Sequence, residues 1–260
     1  MNLNNSLVLL VIIVSLTACN RSDETSGFSN PAAEGFDLAN SDPAAVELAD
    51  SIMVAMGGWA NWNNTRFIAW NFNDNRELLW DKKDERVRIE SIKDSITYIV
   101  NLKTLTGKVW VKGQPLTESD SLDKMLNRGK SIWINDSYWL VMPFKLKDSG
   151  VTLKYLGEDT LRTGGRCNVI ELTFNNVGDT PQNKYLVYVD LADNLVKQWA
   201  YFSNASQDSA NFVRPWDNYK KYGNILLSAD RSDGVGPKDV SVRNRMDEKA
   251  FNDIGWKDNN

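Results

Sequence analysis

The feature that most constrains the fold of this chain is an alternation of apolar and polar residues at a period of two. The first half carries four such runs, over residues 68–72, 78–80, 87–89 and 96–102. Alternation at this period is typical of β-strands, because successive side chains of a strand point to opposite faces. Short turn segments rich in Asn, Asp, Lys and Gly separate the runs, which favours antiparallel strands joined by tight turns. The first half is therefore predicted to be an antiparallel meander.

Strands are predicted again after Pro143, over residues 151–157, 166–175, 184–190 and 195–203. The third and fourth of these runs are apolar on more than one face, so the sheet is predicted to be covered on both sides, by helices on one and by a cavity or plug on the other. The turn between them contains Asp190 and Asp193, but it lacks the repeated oxygen ligands of a calcium loop. We interpret it as a hairpin turn and predict no metal site there.

Helical signals occur in two places. Asp42 and Pro43 have the character of an N-cap and a first helical residue, and Gly57-Gly58 supplies a stop, which predicts a helix over 43–56. A polar segment over 117–128 also has helical spacing and ends near Gly129.

The segment 131–146 follows and is the densest aromatic stretch of the chain. It is predicted to form a helix laid over the sheet, capped by Asn135 or Asp136 and ending before Pro143.

The N-terminus carries an apolar run from Leu7 to Leu16, followed by Thr17-Ala18-Cys19, which is the pattern of a lipobox. The run is too short to cross a hydrocarbon layer of about 30 Å, which takes roughly 20 helical residues, so a cleaved signal peptide over 1–18 is predicted. Cys19 is then the lipidation site, with several acyl chains that anchor the protein stably. The alternative is an ordinary secretory signal with a chance cysteine, which the absence of Lys and Arg at the start favours.

Residues 19–41 are rich in Ser, Asn, Asp and Gly, which predicts a flexible tether. The remaining residues, 42–260, suffice for a single domain with one core. Within the tether, Ser22-Asp23-Glu24 resembles an acidic signal that sends some lipoproteins to the cell surface. The prediction is an outer-membrane, lipid-anchored protein, on either the periplasmic face or the cell surface.

Composition excludes several classes of function. The chain has 30 basic and 34 acidic residues, a net charge of −4 and no histidine. This balance provides no basic footprint for nucleic acid. Without histidine there is no Ser-His-Asp triad, no His ligand for zinc and no imidazole base. The adjacent pair Glu158-Asp159 does not suit a glycosidase, because neighbouring strand residues point apart. No enzyme activity, metal or cofactor is predicted.

Cys167 is the second of the two cysteines and has no intrachain partner once Cys19 is acylated. It lies in a predicted strand, where we interpret it as a buried thiol and not as a nucleophile.

The lipobox, the first helix ending in Gly-Gly, the meander with its helical insert and the turn from Tyr188 to Val196 together resemble the LolA/LolB-like superfamily, over about residues 42–250. Within it, the segments 133–139, 143–146 and 212–216 are similar to a family of Bacteroidota lipoproteins. This resemblance implies a half-open antiparallel barrel of about eleven strands around an apolar cavity closed by helices, which in studied members holds lipid or lipoprotein acyl chains.

Ten Trp, eight Tyr and nine Phe suit a mostly apolar cavity with a few polar groups. The predicted ligand is a lipid or acyl chain, and the predicted lining residues are Trp70, Trp80, Trp110, Trp133 and Trp139. For any one of them, plain core packing is the alternative. A surface glycan-binding module that uses Trp59 and Trp62, or a structural envelope lipoprotein with a protein partner, would explain the same composition.

The lipobox generates a first prediction. Cys19→Ser is expected to move the protein from the membrane fraction to the soluble fraction, or to stall its processing, because the substitution removes the only thiol that the lipobox offers for acylation. Fractionation and intact-mass analysis of the N-terminus measure this. An unmodified N-terminus at another residue in the wild-type protein would contradict it.

Overall fold

Fourteen β-strands and three α-helices make up the part of the chain that the computed structural model describes, residues 30–175 and 177–257. The helices are α1 (Pro43–Ala55), α2 (Trp59–Asn64) and α3 (Ser119–Val141). The strands before and beside α3 are β1 (Phe67–Phe72), β2 (Arg76–Asp81), β3 (Arg86–Ser91), β4 (Ile96–Asn101), β5 (Gly107–Val111) and β6 (Gln114–Pro115). The strands after it are β7 (Val151–Thr160), β8 (Arg166–Phe174), β9 (Lys184–Asp190), β10 (Val196–Phe202), β11 (Phe212–Pro215), β12 (Tyr219–Tyr222), β13 (Ile225–Ser228) and β14 (Pro237–Arg243). The predicted signal peptide 1–18, Cys19 and residues up to 29 lie outside the described residues.

These strands form two large antiparallel sheets and a small hairpin. The first sheet has the order β14-β1-β2-β3-β4-β5-β6, the second has the order β11-β10-β9-β8-β7, and β12 pairs with β13. The two large sheets remain separate sheets within the described residues, so the barrel is half open, as predicted. The strand count exceeds the eleven implied by the resemblance because β6, β12 and β13 have only two to four residues each.

The inner faces of both sheets follow from the alternation in the sequence. Residues directly opposite each other in an antiparallel pair point to the same face. In the first sheet one such row runs Ile68, Trp80, Val87 and Val100, and all four side chains are buried. Each fully buried aliphatic side chain of this kind stabilises the fold by about 1.5–3 kcal/mol. The core lies between these rows and the helices.

The first helix agrees with its prediction. Pro43 occupies the first turn of α1, and the helix buries one stripe of residues: Ala45, Leu48, Ala49, Ile52 and Met53. Gly57 and Gly58 follow it with φ angles of 113° and 86°, a backbone region that favours glycine. A Cβ atom at Gly57 would lie 2.4 Å from the carbonyl oxygen of Asn224, so this stop also lets the β12–β13 hairpin approach closely.

The central helix differs from its prediction. The two predicted segments are one helix of 23 residues, which begins after the cap Glu118 and ends at Val141, before Pro143. Gly129 does not end it. A Cβ atom there would lie 2.9 Å from Val100 Cγ2, so glycine lets α3 pack closely on β4. In the described part of the chain, no helix combines the length and the apolar character that a bilayer span requires.

The N-terminal boundary of the domain also differs from its prediction. Part of the predicted tether, residues 30–41, is bound to the domain by backbone hydrogen bonds. The amides of Ala33 and Asp37 donate to the carbonyl oxygens of Lys147 and Val151 at 2.9 and 3.0 Å. The polar composition that indicated a tether reflects this edge position, where the segment covers the exposed side of β7.

The C-terminal region contributes the last strand of the first sheet and the cover of its outer face. β14 pairs with β1 and completes the first sheet. The tail that follows covers the outer face of this sheet, where Arg88 is buried and donates to the carbonyl oxygens of Ala250 and Asp253 at 3.0 and 2.7 Å. The tail therefore covers the outer face of the first sheet.

Asp136 lies fully buried in the last third of α3, inside the helix, and is not a cap. Its carboxylate accepts two hydrogen bonds from Arg76 at the start of β2, at 2.6 Å from Nε and 2.9 Å from Nη2. Burial raises the pKa of Asp136, and the Arg76 guanidinium opposes that rise. This two-point ion pair connects α3 to the first sheet in the only orientation that satisfies both groups.

Arg76→Met is expected to lower the free energy of unfolding by about 3–5 kcal/mol at neutral pH, because it leaves a buried carboxylate without its cation. A carboxyl group whose pKa is raised in the folded state destabilises that state when ionised, and the penalty disappears as the pH falls through the raised pKa. The loss should therefore be smaller at a pH of about 5. Urea denaturation at the two pH values measures it.

Arg128→Met is the matched control, because it removes another ion pair between α3 and the first sheet. Arg128 pairs with Asp94 at 3.2 Å, and both side chains are about half exposed. The expected change is less than about 1 kcal/mol, as for most surface pairs. Equal losses in the two variants would contradict the role assigned to the Arg76–Asp136 pair.

Candidate functional site

A cavity of about 520 Å³ lies between the second half of α3 and the inner face of the second sheet. Residues of α3 between 131 and 139 form one wall. The opposite wall is a row of aromatic side chains from four strands of the second sheet: Phe174, Tyr185, Trp199, Tyr201 and Phe212. Loop residues from 145–151 and 177–183 complete the lining. We refer to this space as the cavity.

The register of the second sheet places these aromatic residues together. Tyr201 lies directly opposite Tyr185 on one side and Phe212 on the other. Trp199 is two residues from Tyr201 on the same strand, so it points to the same face. Four rings from three neighbouring strands therefore project into the same space.

Ring packing holds this aromatic wall in place. The rings of Tyr185 and Trp199 are stacked with centroids 5.3 Å apart and planes 4° apart. Trp139 of α3 meets Trp199 edge-on at 4.8 Å, and Tyr138 contacts Tyr185 at 5.4 Å. Aromatic pairs at such distances contribute about 0.5–1.5 kcal/mol each beyond the area they bury. The wall is therefore rigid, and α3 and the sheet hold it from both sides.

The polar atoms of the inner wall are neutral. Burial raises the pKa of Tyr138 well above its usual value and raises the pKa of Tyr185 to about 12, so both phenols stay protonated at physiological pH. Among the described residues, the Tyr138 hydroxyl and the indole nitrogens of Trp133 and Trp199 are buried without a hydrogen-bond partner. The depth of the cavity thus offers apolar surface and no charge.

The mouth of the cavity is polar. Its exposed lining residues, which define the mouth here, are Ser131, Asn135, Ser149, Gly178, Asp179 and Thr180. Beside them Lys145 and Asp148 form an ion pair with each other. The site therefore combines an apolar interior with a hydrophilic entrance, the arrangement that suits an amphipathic molecule.

Two of the five predicted tryptophans line the cavity, Trp133 and Trp139. Trp70 and Trp80 are buried in the core between the sheets, at 2% and 8% exposure, and are not among the lining residues. Trp110 lies on the outer face of the first sheet, in a separate apolar cluster with Phe251. Aromatic content alone does not separate the cavity, the core and the outer face of the sheet. The alternation of a strand shows that it has two faces but not which of them points inward.

The strongest lining residues were missing from the prediction. Tyr185 and Trp199 belong to runs that were recognised as strands but not as cavity walls, and Tyr138 belongs to the aromatic segment of α3. The signal was present in the alternation of 184–190 and 196–202. It could not be used without the register that sets these strands side by side.

Trp59 and Trp62, the residues of the glycan alternative, lie at a second, smaller cleft of about 230 Å³. The ring of Trp62 is stacked on Phe144 at 4.3 Å and 12°. The Lys82 ammonium lies 3.5 Å from the centroid of the same ring, too close to share the face that Phe144 covers. Both faces of Trp62 are thus occupied, and neither is free for a sugar ring.

Lys82 itself has an unusual environment. Its Nζ donates to the carbonyl oxygen of Trp62, and no carboxylate within the described residues forms an ion pair with it. Burial, with a smaller contribution from the Lys145 charge, lowers the pKa of Lys82 to about 7. The lysine therefore connects α2 to β2 and is partly uncharged at neutral pH.

Other chemistry-bearing groups are isolated. Cys167 is buried in β8, as predicted, and burial raises the pKa of its thiol, which disfavours the thiolate. In the ranges 30–175 and 177–257, no three His, Cys, Asp or Glu residues are arranged to hold a metal ion.

Solved structures with a similar fold share little sequence with this chain. A DUF1329 family protein from Desulfovibrio piger is 11% identical, with a TM-score of 0.42, over 81% of this chain and 98% of that one. A provisionally named outer membrane lipoprotein-sorting protein domain from Vibrio parahaemolyticus is 10% identical, with a TM-score of 0.41, over 80% and 96%. A LolA superfamily protein from Nitrosomonas europaea is 12% identical, with a TM-score of 0.40, over 80% and 96%.

No protein-family model matches the sequence, and no curated protein matches it either.

Lys82→Met is expected to remove a pH-dependent part of the stability. The folded-state pKa of about 7 lies below the ordinary value of 10.5, so the unfolded chain binds the proton more tightly between these values. Wild-type stability should therefore rise by roughly 1–2 kcal/mol more than that of the variant between about pH 7 and pH 9. Lys83→Met, at the exposed neighbouring residue, is the control. Identical pH dependence in wild type and Lys82→Met would contradict the assignment.

Proposed function

We propose that this protein is a membrane-anchored lipoprotein that binds an apolar or amphipathic ligand, a lipid or an acyl chain, in the cavity between α3 and the second sheet. The observation that carries the proposal is the aromatic wall, which encloses about 520 Å³ of mostly apolar space. Sites for small molecules have volumes of about 300–1,000 Å³, so the space suits a single ligand of that size.

The energetics favour an aliphatic ligand. Each methylene group moved from water into such a space contributes about 0.8 kcal/mol. The wall holds no charge that would have to be desolvated or paired, because Tyr138 and Tyr185 remain neutral. A hydrocarbon chain that enters the cavity therefore does not leave a charge desolvated or unpaired.

The mouth sets the direction of binding. Ser131, Asn135 and Thr180 offer uncharged polar groups there, and the charges of Lys145 and Asp148 already satisfy each other. A ligand with a polar head and an apolar chain would place its chain against Trp199 and its head at the mouth. Among the described residues that line the cavity, the one cation, Lys145, is paired with Asp148, which disfavours a free phosphate or carboxylate as the feature that is recognised.

We propose a binding role and no catalysis. The chain contains no histidine, and the phenols in the cavity are held in their protonated form. Lys145 and Asp148 are the ionisable pair nearest the ligand, and each neutralises the other. These groups supply neither a free base nor an activated nucleophile.

The anchor and the location rest on the sequence. Acylation of Cys19 would attach the domain to the outer membrane, on the periplasmic face or at the cell surface. The cavity and the anchor then serve one purpose, which is to keep a lipid-binding domain at the membrane that contains its ligand.

Phe212→Asp is expected to weaken the binding of palmitate by roughly 10–100-fold, because it removes an aromatic ring from the wall and places a carboxylate in the apolar space. Phe212 contacts Tyr201, Trp199 and Trp139 at ring distances of 5.0–5.6 Å. Val213→Asp is the matched control, since the neighbouring residue of β11 points to the opposite face of the sheet. Titration of tryptophan fluorescence with palmitate measures both variants, and Phe212→Leu tests whether an apolar replacement retains binding.

The same titration with a soluble maltooligosaccharide separates the alternatives. A response to palmitate alone, with lipid in organic extracts of the purified protein, supports the proposal. A response to the sugar alone that is lost in Trp59→Ala would replace it with a glycan-binding function. If neither ligand changes the fluorescence and no lipid is extracted, the proposal is also overturned. That result would favour a structural lipoprotein with a protein partner in the envelope.

A further inference from the structure

The first described residues of the chain run along the mouth of the cavity. The Lys147 ammonium donates to the carbonyl oxygen of Asn30 at 2.6 Å, and the Gly150 amide donates to the carbonyl oxygen of Gly35 at 2.8 Å. A Cβ atom on Gly35 would lie 2.6 Å from Ser149 Oγ, a mouth residue. The chain therefore enters the domain in direct contact with the entrance to the cavity.

The cavity and the first described residues, 30–35, which we call the entry segment, share a wall. Asp148 lines the cavity and also lines the small cleft formed with residues 30–33. The side chains of Asn30 and Lys147 are both bound to Asp50 of α1 at 2.8 Å, which fixes the segment on the rigid part of the domain. The position of the entry segment relative to the mouth is thus set by hydrogen bonds.

The opposite end of the second sheet is far from this point. β7 begins at Val151, which lines the cavity, and ends at Thr160. Nine residue steps at about 3.3 Å per step separate the two positions by about 30 Å. Thr160 is exposed and marks the end of the domain that is remote from the mouth.

The length of chain before Asn30 limits how the domain can be oriented. Eleven residues, from Cys19 to residue 29, precede it in the sequence. Even fully extended, a segment of that length reaches at most about 40 Å. The remote end, about 30 Å from the mouth, could touch the bilayer only if the segment spanned about three quarters of that reach along the side of the domain, whereas the mouth lies beside the point where the segment joins the domain.

We propose that the mouth of the cavity faces the phospholipid bilayer to which Cys19 is attached, so that the ligand passes between the cavity and that same bilayer. The inference rests on the proposed function, because it requires the acyl anchor at Cys19. It adds the interaction surface, which is the polar mouth with the adjoining segment 30–35, and it names the partner, which is the surface of the host membrane.

The test compares two single-cysteine labels in the acylated full-length protein reconstituted into phosphatidylethanolamine–phosphatidylglycerol vesicles. Ser131→Cys places an environment-sensitive fluorophore at the mouth, and Thr160→Cys places the same fluorophore at the remote end. Cys167 is buried and Cys19 is blocked by its acyl thioether, so neither competes for the label. Nitroxide-labelled headgroup lipids then quench whichever fluorophore lies near the surface.

Quenching is expected to be greater at residue 131 by about twofold or more, because the segment from Cys19 keeps that end within its reach while residue 160 lies a strand length further away. Equal quenching, or greater quenching at residue 160, would overturn the inference. Palmitate binding by the unacylated Cys19→Ser variant in solution is measured in parallel and does not depend on orientation. Normal binding there with equal quenching overturns the orientation alone, whereas loss of binding overturns the proposed function.

Discussion

The close packing of α3 on the first sheet is the interaction on which the rest of this structure depends. Gly129 brings the helix axis close to β4, and the buried pair of Arg76 and Asp136 fixes how far along the sheet the helix lies. Asp136 lies in the second half of α3, the same half that carries Trp133, Tyr138 and Trp139, so the contact with the first sheet also positions these rings at the cavity. The cavity is the space between this half of the helix and the aromatic wall.

Contacts between the wall residues keep the cavity open. Apolar side chains around an empty space would gain free energy by collapsing into it. Here the rings of Tyr185, Trp199 and Trp139 support each other through stacked and edge-on contacts between the second sheet and α3. A wall built from rings has few rotatable bonds, so little side-chain entropy is gained or lost when a ligand enters. This is the physical basis for treating the space as a preformed site.

Buried charges hold the helix over the sheet at its far end as well. Arg231, which follows β13, is buried and donates to the carbonyl oxygen of Trp139 at 2.6 Å, and its guanidinium lies 3.7 Å from the centre of the Trp216 ring. Burial lowers the pKa of Arg231 to about 10, so it remains charged at neutral pH. The hydrogen bond to Trp139 and the contact with the Trp216 ring offset the cost of burying this cation only in this geometry. Such contacts therefore specify the position of the helix even where their net stabilisation is small. Trp139 is therefore held both by its ring and by its backbone.

The sequence by itself determined the local structure. The period of two specified seven of the fourteen strands to within two residues. Pro43 and Gly57 bounded α1 and Pro143 bounded α3, because these residues act through their own backbone. Only the tertiary structure decided what lies across from each element. A glycine at position 129 is compatible with a helix end and with close packing, and the position of β4 decides between the two. The alternation around Val240 and Val242 of β14 is short, and its pairing with β1 is a contact between segments distant in sequence. Trp70, Trp80 and Trp110 were indistinguishable from Trp133 and Trp139 as aromatic residues. Whether a ring packs in the core, on the outer face or against a cavity depends on register and on sheet-to-sheet distance, and these are set by long-range contacts that no local pattern encodes.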